Sequence, residues 1–489
     1  MALTVLVFLP AVVAAIILLT PKAYESYARW TALAGAVAVF GLALGIFFSL
    51  DLSKGGYQFT VTKDWVDIGS FNLQYHLGVD GISMPLVMLT AVLTVAAVLV
   101  SFGIKERQRA YFACLLTLTT SVLGVFCALD TMLFFLFWEL ELFPMFLLIA
   151  VWGSGRREYA ATKFIIYTFA GSAFMLVGIL ILAFNANTFD IAVLQNTTFH
   201  DTVLPLRWVF LFLLIGFAVK LPMVPFHTWA PDAYSSAPTA VSVLLAGIFE
   251  VMGGYGIIRL CVSILPGVAQ DYSIWFAAIG AGGLLYCAFI TFRQTDIKKL
   301  VAYLSVSQMG LVLLGISALG QTGLVGATYQ LVAHGIITAM LFVMVGLLVE
   351  RTGTKEIAKM GGLARQMPLL ACGLGFAGFA SLGLPSLAGF IAEFTVFLGS
   401  FQRYEWAVLM AIFGAVLSAG YILWMLQRVI FGPIRHDAET DALPDQRHWW
   451  EHSAVAGMAA IIILLGVYPA LLTDMIGPAV STIMTRVGS

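Results

Sequence analysis

Charged residues are scarce in this sequence of 489 residues. Only 10% of them are Asp, Glu, Lys or Arg, whereas a soluble domain contains about 25%. Hydrophobic residues make up 61%, so a soluble fold would lack the polar groups needed to cover its surface. The formal net charge is −1, which argues against the basic face that nucleic-acid binding requires. The composition therefore predicts a protein embedded in lipid, with no nucleic-acid partner.

The motifs that bind cofactors or metals are also missing. The five cysteines lie far apart and form no C-x-x-C pair, which predicts neither a disulfide framework nor a cysteine-ligated cluster. The sequence has no G-x-G-x-x-G after a strand, no Walker loop and no histidine pair at haem-ligand spacing inside an apolar segment. We therefore expect this chain to bind no cofactor or metal itself. The N-terminus lacks a basic region and an A-x-A site before Pro21, so we expect a first membrane helix rather than a cleaved signal.

Long apolar segments, in contrast, are abundant. A bilayer core about 30 Å thick needs roughly 20 apolar residues per helix. Only the loops near 51–81, 186–206 and 432–452 are long, so no soluble domain is expected. The sequence predicts an all-α polytopic membrane protein with about fourteen transmembrane helices. These lie near residues 2–19, 28–50, 82–103, 110–129, 131–152, 161–185, 207–229, 238–262, 273–292, 299–318, 323–349, 368–400, 405–431 and 453–473.

Basic residues are distributed unevenly over the predicted loops. Loops after odd-numbered spans contain eighteen Lys and Arg residues, and loops after even-numbered spans contain five. Cytoplasmic loops are the ones enriched in these residues. The distribution predicts that both termini face the periplasmic or lumenal side.

Seven ionisable residues lie inside predicted spans, where an acid or a lysine costs about 2.5–3.5 kcal/mol at mid-helix. One or two could serve only as interhelical hydrogen bonds, and for a single intramembrane histidine this alternative is equally good. Seven groups on five helices, alternating acid, amine, imidazole and acid, favour proton transfer instead. They are Glu139, Glu141, Lys220, His227, Glu250, His334 and Glu393.

Two of these spans also contain helix breakers. Pro222 and Pro225 follow Lys220 in the seventh span, and Gly383, Pro385 and Gly389 precede Glu393 in the twelfth. Irregular backbone at membrane depth is tolerated where it is buried in protein or lines a wet cavity, although these prolines could also merely kink buried helices.

An offset of five spans separates the two breaks, and an odd offset inverts the second half relative to the first. The pattern therefore predicts two inverted five-helix repeats, spans four to eight and nine to thirteen, with broken helices seven and twelve. The corresponding division of the chain is 1–109 for the first three helices, 110–262 and 273–431 for the repeats, and 432–489 for a loop and the fourteenth helix.

Several motifs resemble those of the antiporter-like, proton-pumping subunits of complex I, which are related to Mrp antiporter and membrane-bound hydrogenase subunits. The resemblance covers roughly residues 75–435. It is carried by F-W-E-L-E-L-F-P-M at 137–145, K-L-P-M-V-P-F-H-T-W-A-P-D-A at 220–233, S-A-P-T-A at 236–240, D-I-K-K-L-V-A-Y-L-S-V-S-Q-M-G at 296–310, A-H-G at 333–335 and G-F-I-A-E-F at 389–394.

The resemblance implies a half-channel in each repeat and a polar axis along the membrane midplane. In that picture Glu139 and Lys220 form a regulating ion pair, His334 lies on the axis, and Glu393 is the terminal proton donor. Further candidates for proton transfer are Glu250, His227 and Lys298. Glutamate rather than lysine at 393 is typical of the chain 4 type (NuoM/NdhD), and W-E-L-E-L-F-P looks most like cyanobacterial and plastid versions.

The implied function is proton translocation in a quinone oxidoreductase that is driven by NAD(P)H or ferredoxin. Redox cofactors and the quinone would then belong to the complex and not to this chain. The implied partners are lipid and the neighbouring chain 5-type and chain 2-type subunits, including the lateral helix of the former. The implied location is a bacterial cytoplasmic membrane or a thylakoid membrane. An Mrp-type antiporter subunit, a hydrogenase membrane subunit and a scaffold that no longer pumps are the alternatives.

Three positions depart from the family pattern. The family usually has a lysine where this sequence has Val251, and Glu250 stands one residue earlier. Tyr234 and Gln308 each replace a common histidine. One residue is about 100° around a helix, so Glu250 need not replace the lysine geometrically. The middle of the proton path could use water and His334, use Glu250 from another angle, or differ because the complex is a specialised variant.

Overall fold

The computed structural model describes residues 1–68, 71–200, 202–433 and 448–487, without the side chains of residues 67, 68, 71 and 72. These residues form mostly helices. The helices are α1 (Ala2–Leu19), α2 (Ala28–Ser49), α3 (Ser83–Val100), α4 (Gln108–Cys127), α5 (Thr131–Leu140), α6 (Leu142–Trp152), α7 (Arg157–Ala186), α8 (Ile191–Leu194), α9 (Leu206–Lys220), α10 (Trp229–Ser236), α11 (Thr239–Leu244), α12 (Glu250–Gly256), α13 (Pro266–Thr291), α14 (Ile297–Ser317), α15 (Gln321–Thr352), α16 (Leu363–Gln366), α17 (Pro368–Ser381), α18 (Ala388–Phe401), α19 (Glu405–Ile430), α20 (Trp449–Val467) and α21 (Ala470–Val487).

The predicted all-α membrane fold is confirmed. Twelve helical segments in the described part of the chain are long and apolar enough to cross a membrane, and they match twelve of the fourteen predicted spans. The other two predicted spans are the ones with helix breakers. The seventh, 207–229, consists of α9 and an irregular segment that ends where α10 begins, and the twelfth consists of the 14-residue helices α17 and α18.

The centre of the helix bundle is formed by the segments that carry Glu250 and His334. Thr239–Val262 is continuous from α11 through α12, and all of its apolar window is buried. The apolar parts of α14 and α15 are 94% buried, whereas those of α1, α7 and α19 are only 39% buried and are otherwise exposed at the surface of the bundle. A helix that is apolar all round belongs in a core or a membrane, and Glu250 and His334 lie in two of the most buried segments.

A β-hairpin in the 51–81 loop and the helix α21 were not anticipated. Strand β1 (Gln58–Ile68) pairs antiparallel with β2 (Phe71–Val79). The turn after β2 contacts α21 so closely that a Cβ atom on Gly81 would lie 1.8 Å from the carbonyl oxygen of Met475. The predicted fourteenth span, 453–473, is α20, and it ends at Val467.

The division into inverted repeats and the side of the membrane on which the termini lie remain predictions. Two of the basic residues used for the orientation, Arg435 and Arg447, lie outside the described residues. A third, Arg259, was assigned to a loop but is buried at the end of the Thr239–Val262 segment.

Candidate functional site

The break in the seventh span comes directly after Lys220, the last residue of α9. Pro222 and Pro225 have no N–H group and cannot continue the helical hydrogen bonds. The carbonyl oxygen of Val219 instead accepts a hydrogen bond of 2.8 Å from the indole N–H of Trp229. A buried carbonyl at membrane depth needs such a partner, so the Trp229 side chain stabilises the break.

Lys220 forms a buried ion pair with Glu141. The Lys220 Nζ atom donates to Glu141 Oε1, and the two side chains are only 2% and 0% exposed. The same amine lies 3.4 Å from the centre of the Trp138 ring and 4.5 Å from that of Phe249. Cation–π contacts of this kind strengthen when the site is desolvated. The amine is therefore held by one carboxylate and two aromatic faces.

The ion pair between Lys220 and Glu139 that the resemblance implies is not formed. Glu139 interacts with Lys220 electrostatically, but its Oε1 atom is buried without a hydrogen-bond partner among the described residues. Glu141, between α5 and α6, reaches the amine instead. Pro144 cannot donate to the carbonyl group of Leu140, which is the last residue of α5.

Glu250 lies at the centre of a buried hydrogen-bonded cluster. The Tyr234 hydroxyl donates to Glu250 Oε1, and the Ser305 hydroxyl donates to Glu250 Oε2 at 2.7 Å. Ser305 Oγ is also 3.0 Å from His334 Nε2. The direct distance between His334 Nε2 and Glu250 Oε2 is 3.5 Å. A carboxyl group and an imidazole are therefore connected both directly and through one hydroxyl.

Two π-helical turns flank the position of Glu250. One covers Leu245–Phe249 and the other Ile257–Val262. Such turns are frequent at functional sites because they shift side chains around the helix axis. Val251, at the usual lysine position, is fully buried among apolar residues. The cluster is thus built around Glu250 and not around position 251.

His334 belongs to a polar stripe along α15. Gln330, His334 and Thr338 follow one another at intervals of four residues, which places them on one helix face. Thr338 Oγ1 lies 3.2 Å from His334 Nδ1. Because a hydroxyl can donate or accept, this contact is compatible with the neutral ring and with the protonated ring.

Glu393 on α18 follows next to this stripe. Gln308 Nε2 donates to Glu393 Oε1 at 3.2 Å, and Gln308 Oε1 accepts from Gln330 Nε2 at 3.1 Å. A small cavity is lined by both glutamines together with His334 and Glu393. The cavity and the two amides therefore lie between the imidazole and the carboxyl group.

The break before Glu393 depends on the residues at 383 and 386. Gly383 has φ +67° and Ser386 has φ +76°, and glycine adopts such a conformation without the steric cost that a Cβ imposes. A Cβ atom on Gly383 would also lie 2.8 Å from Glu393 Oε2. The glycine thus allows both the turn and the position of the carboxyl group.

A gap separates the first ion pair from the central cluster. Among the described residues, no hydrogen bond connects Lys220 or Glu141 with Glu250 or its partners. The Phe249 ring is next to the lysine amine and precedes Glu250 in the chain. Proton transfer across this gap would require water or a movement of the aromatic side chain.

Among the described residues, no hydrogen bond connects His227 or Lys298 with the ion pair of Lys220, the Glu250 cluster or Glu393. His227 is buried with its Nδ1 atom lacking a hydrogen-bond partner among the described residues, and its ring contacts Tyr286 and Tyr303 at centroid distances of 5.5 and 6.5 Å. The Lys298 amine donates to the carbonyl of Ala237 at 3.0 Å. Their roles in proton transfer remain predictions.

A second buried ion pair was missed because Arg259 was counted as a loop residue. Its Nη2 atom is 2.7 Å from each carboxylate oxygen of Asp80. Nη1 donates to the Tyr57 hydroxyl at 3.0 Å, and Nε donates to the Tyr255 hydroxyl at 3.2 Å. This hydrogen-bonded pair connects the turn between β2 and α3 with the end of the Thr239–Val262 segment.

Neutral residues that connect the charged ones were also missed. Ser305 and Gln308 are one helical turn apart on α14, and Gln330 and Thr338 accompany His334 on α15. Polar residues at intervals of three and four in an apolar helix are a signal that could have identified them.

Among the described residues, no group of three or more His, Cys, Asp or Glu side chains could hold a metal ion.

Known proteins resemble this chain over its full length. NADH-quinone oxidoreductase subunit M of Rhodobacter capsulatus is 40% identical, covering 98% of this chain and 95% of that protein. NAD(P)H-quinone oxidoreductase chain 4 of Gloeobacter violaceus is 38% identical, covering 99% of this chain and 93% of that protein. A chain of respiratory complex I from Thermus thermophilus with bound NADH has a TM-score of 0.89 and 27% identity, with 100% of both chains covered.

The match to a protein family extends over the site. Residues 128–418 match the transmembrane family of NADH:quinone oxidoreductases and Mrp antiporters, and this range includes both breaks, the ion pair of Lys220, the Glu250 cluster and Glu393. The predicted relationship to subunit M or chain 4 of quinone oxidoreductases is confirmed by the named relatives. The chain belongs to the NADH:quinone oxidoreductase/Mrp antiporter transmembrane family.

Proposed function

We propose that this chain is a proton-translocating membrane subunit of an NAD(P)H- or ferredoxin-driven quinone oxidoreductase. The observation that carries the proposal is the row of buried titratable groups, from Glu141 and Lys220 through Glu250 and His334 to Glu393. Ionisable side chains inside a membrane mark proton or ion pathways. Quinone reduction takes place elsewhere in the complex.

Three parts of the row have different chemistry. The first is a cation paired with a carboxylate, the second is a carboxyl group beside an imidazole, and the third is a carboxyl group beside two amides and a cavity. The second and third can exchange a proton through hydrogen bonds and water. The first changes its electrostatic influence when Lys220 or Glu141 gains or loses a proton, and the gap at Phe249 would act as the controlled step.

The chain would work with neighbouring membrane subunits of chain 5 and chain 2 type, with the lateral helix of the former, and with lipid. NAD(P)H or ferredoxin and the quinone would be bound by other subunits. Both termini would face the periplasm or the lumen, in a bacterial cytoplasmic membrane or a thylakoid. Glu139, half-buried on α5 near Lys220, would act as an additional charge beside the pair.

The test is proton pumping by the assembled complex in proteoliposomes, with quinone reduction measured in parallel. Glu393→Gln removes the proton-carrying group but keeps its size, so we expect pumping to fall by about tenfold or more. Glu405→Gln, an exposed residue at the start of α19, is the matched control and should pump normally. Full pumping in Glu393→Gln would contradict the proposal.

An Mrp-type antiporter is the second candidate because the family includes both classes. Proton movement in that case would depend on Na⁺ and would not depend on an electron donor. Measuring dye quenching in vesicles with Na⁺ but without a donor, and with a donor but without Na⁺, separates the two.

A further inference from the structure

Ser305 lies between the two titratable groups of the central cluster. Its side chain is fully buried, and its Oγ atom is 2.7 Å from Glu250 Oε2 and 3.0 Å from His334 Nε2. Both distances are within normal hydrogen-bond range, whereas the direct Nε2–Oε2 distance of 3.5 Å is too long for a good hydrogen bond. Each of the two hydrogen bonds through the hydroxyl is therefore shorter than the direct contact between the carboxyl group and the ring.

Tyr234 determines which oxygen of Glu250 is available. Its hydroxyl donates to Oε1, which leaves Oε2 to Ser305. The tyrosine ring is fully buried and is fixed by edge contacts with Trp229 and Phe342, at centroid distances of 6.0 and 5.7 Å. A rigid ring with one hydroxyl is well suited to keep a carboxyl group in one orientation.

We propose that Ser305 is a proton-relay residue between His334 and Glu250, and that Tyr234 is the positioning residue that keeps Glu250 Oε2 directed at Ser305. The inference rests on the proposed function of the row. It assigns roles to two neutral side chains that carry no charge in any step.

In the transfer, one proton moves along each of the two hydrogen bonds of Ser305, so the serine loses one proton and gains another. The protonated His334 ring gives its Nε2 proton to Ser305 Oγ while Ser305 gives its own hydroxyl proton to Glu250 Oε2. The products are a neutral ring, an unchanged serine and a protonated carboxyl group. In both states Thr338 Oγ1 can partner His334 Nδ1, since it accepts from the N–H group before the transfer and after it.

The experiment uses the assembled complex in proteoliposomes and compares Ser305→Ala with Ser305→Thr. Alanine removes the hydroxyl group and should slow pumping by about tenfold. Threonine keeps the hydroxyl group and should restore at least half of the rate. Ser307→Ala is the matched control, because Ser307 is on the same helix, is equally buried and donates to the carbonyl of Leu284 instead. Equal rates for Ser305→Ala and Ser307→Ala would overturn the relay.

The role of Tyr234 is tested with Tyr234→Phe alone and in a Glu250→Gln background. A positioning residue should matter only while the carboxyl group is present. We expect Tyr234→Phe to slow pumping by roughly threefold in the wild type and to leave the low residual pumping rate of Glu250→Gln unchanged. Tyr329→Phe, which removes a buried hydroxyl that donates to Leu465, is the control. An equal loss from Tyr234→Phe in both backgrounds would overturn the positioning role.

Failure of this inference can be distinguished from failure of the proposed function. Full pumping by Glu393→Gln would reject the function, and the relay with it. Loss of pumping in Glu393→Gln together with full pumping in Ser305→Ala would reject only the relay.

Discussion

The two broken helices of this protein both interrupt the helical hydrogen bonds inside a predicted span, but the titratable groups beside the two breaks lie in different surroundings. The first break uses prolines and ends in Lys220, whose charge is paired with Glu141 in a site closed by aromatic rings. The second uses Gly383 and leads to Glu393, which is partly exposed and is bound by the neutral amide of Gln308. A paired, buried charge is costly to disturb, whereas a carboxyl group beside a cavity can take up and release protons. The first break is therefore suited to controlling proton transfer through its charges, and the second is suited to exchanging protons.

The largest expected effect comes from breaking the closed pair. Lys220→Ala leaves Glu141 charged and unpaired in the interior, at a cost of about 3–5 kcal/mol, so we expect loss of pumping and less assembled complex. The double variant Lys220→Ala/Glu141→Ala should be more stable than Lys220→Ala, because both charges are gone. The measurements are the melting temperature of the purified complex and its pumping rate.

A second double variant, Lys220→Ala/Glu139→Ala, tests which carboxylate is the partner of Lys220. If Glu139 rather than Glu141 were the partner, its removal together with Lys220 would restore stability in the same way. We expect no such rescue in Lys220→Ala/Glu139→Ala. Rescue by Glu139→Ala and not by Glu141→Ala would contradict the assignment of the pair.

A smaller effect is expected at the second break. Gly383→Ala adds about 1 kcal/mol of backbone strain at positive φ and places a Cβ atom against the carboxyl group of Glu393. Displacing a proton-transfer group by a fraction of an ångström should slow pumping roughly three- to tenfold. Gly375→Ala on α17 is the control, since its Cβ atom would approach only Ile430, at 4.0 Å. Equal pumping in the two variants would show that the glycine does not position Glu393.

The smallest effect is expected for an ion pair outside the membrane. Burial alone would raise the pKa of Asp190, but its hydrogen bonds from His76, at 2.7 Å, and from the backbone hold that pKa below its usual value. A lowered pKa stabilises the fold above about pH 4 and loses this contribution as the pH falls through the folded-state pKa.

We therefore expect Asp190→Asn to lower the melting temperature by about 1 °C at pH 6. The difference from the wild type should shrink below about pH 4. The exposed Asp271 supplies the control substitution, Asp271→Asn. A difference that is constant with pH would mean that the Asp190 carboxylate does not contribute as a charged group.

The sequence was informative for most of the charges that stand in an apolar run, although the buried Arg259 was counted as a loop residue. Lys220, Glu250, His334 and Glu393 were all identified in this way, because the cost of burying an ionisable group leaves few structural explanations. The spans followed from hydropathy for the same reason. Both breaks were also predicted, since proline and glycine act on the backbone locally.

Partners could not be predicted from the same signals. Glu139 and Glu141 differ by two positions, about 200° around a helix, and only the packing of their segment against α9 shows that Glu141 is the one that reaches Lys220. The contribution of Tyr234 was also hidden, because it was noted only as a missing histidine and its contact with Glu250 depends on how two segments pack. Neutral polar residues are common in membrane helices, so they attract little notice in a sequence.

The β-hairpin at Gln58–Val79 was missed for a different reason. It lies in a loop where hydropathy carries no membrane signal, and a two-stranded ribbon needs other elements to become stable. Its neighbour α21 begins at Ala470, where the predicted fourteenth span still appeared to continue. The contact between Gly81, in the turn after the hairpin, and Met475 of α21 is a tertiary contact that the sequence of neither segment predicts.

Glu250 is the residue that we expect to carry protons in the middle of the row. The lysine that the family usually has stands one residue later, at position 251. The most direct measurement is the pumping rate of Glu250→Gln in the assembled complex, with Val251→Ala as a neighbouring control. We expect Glu250→Gln to reduce pumping about as strongly as Lys220→Ala, because the carboxyl group bound to Ser305 and Tyr234 is lost. Normal pumping in Glu250→Gln, with the complex fully assembled, would contradict this expectation.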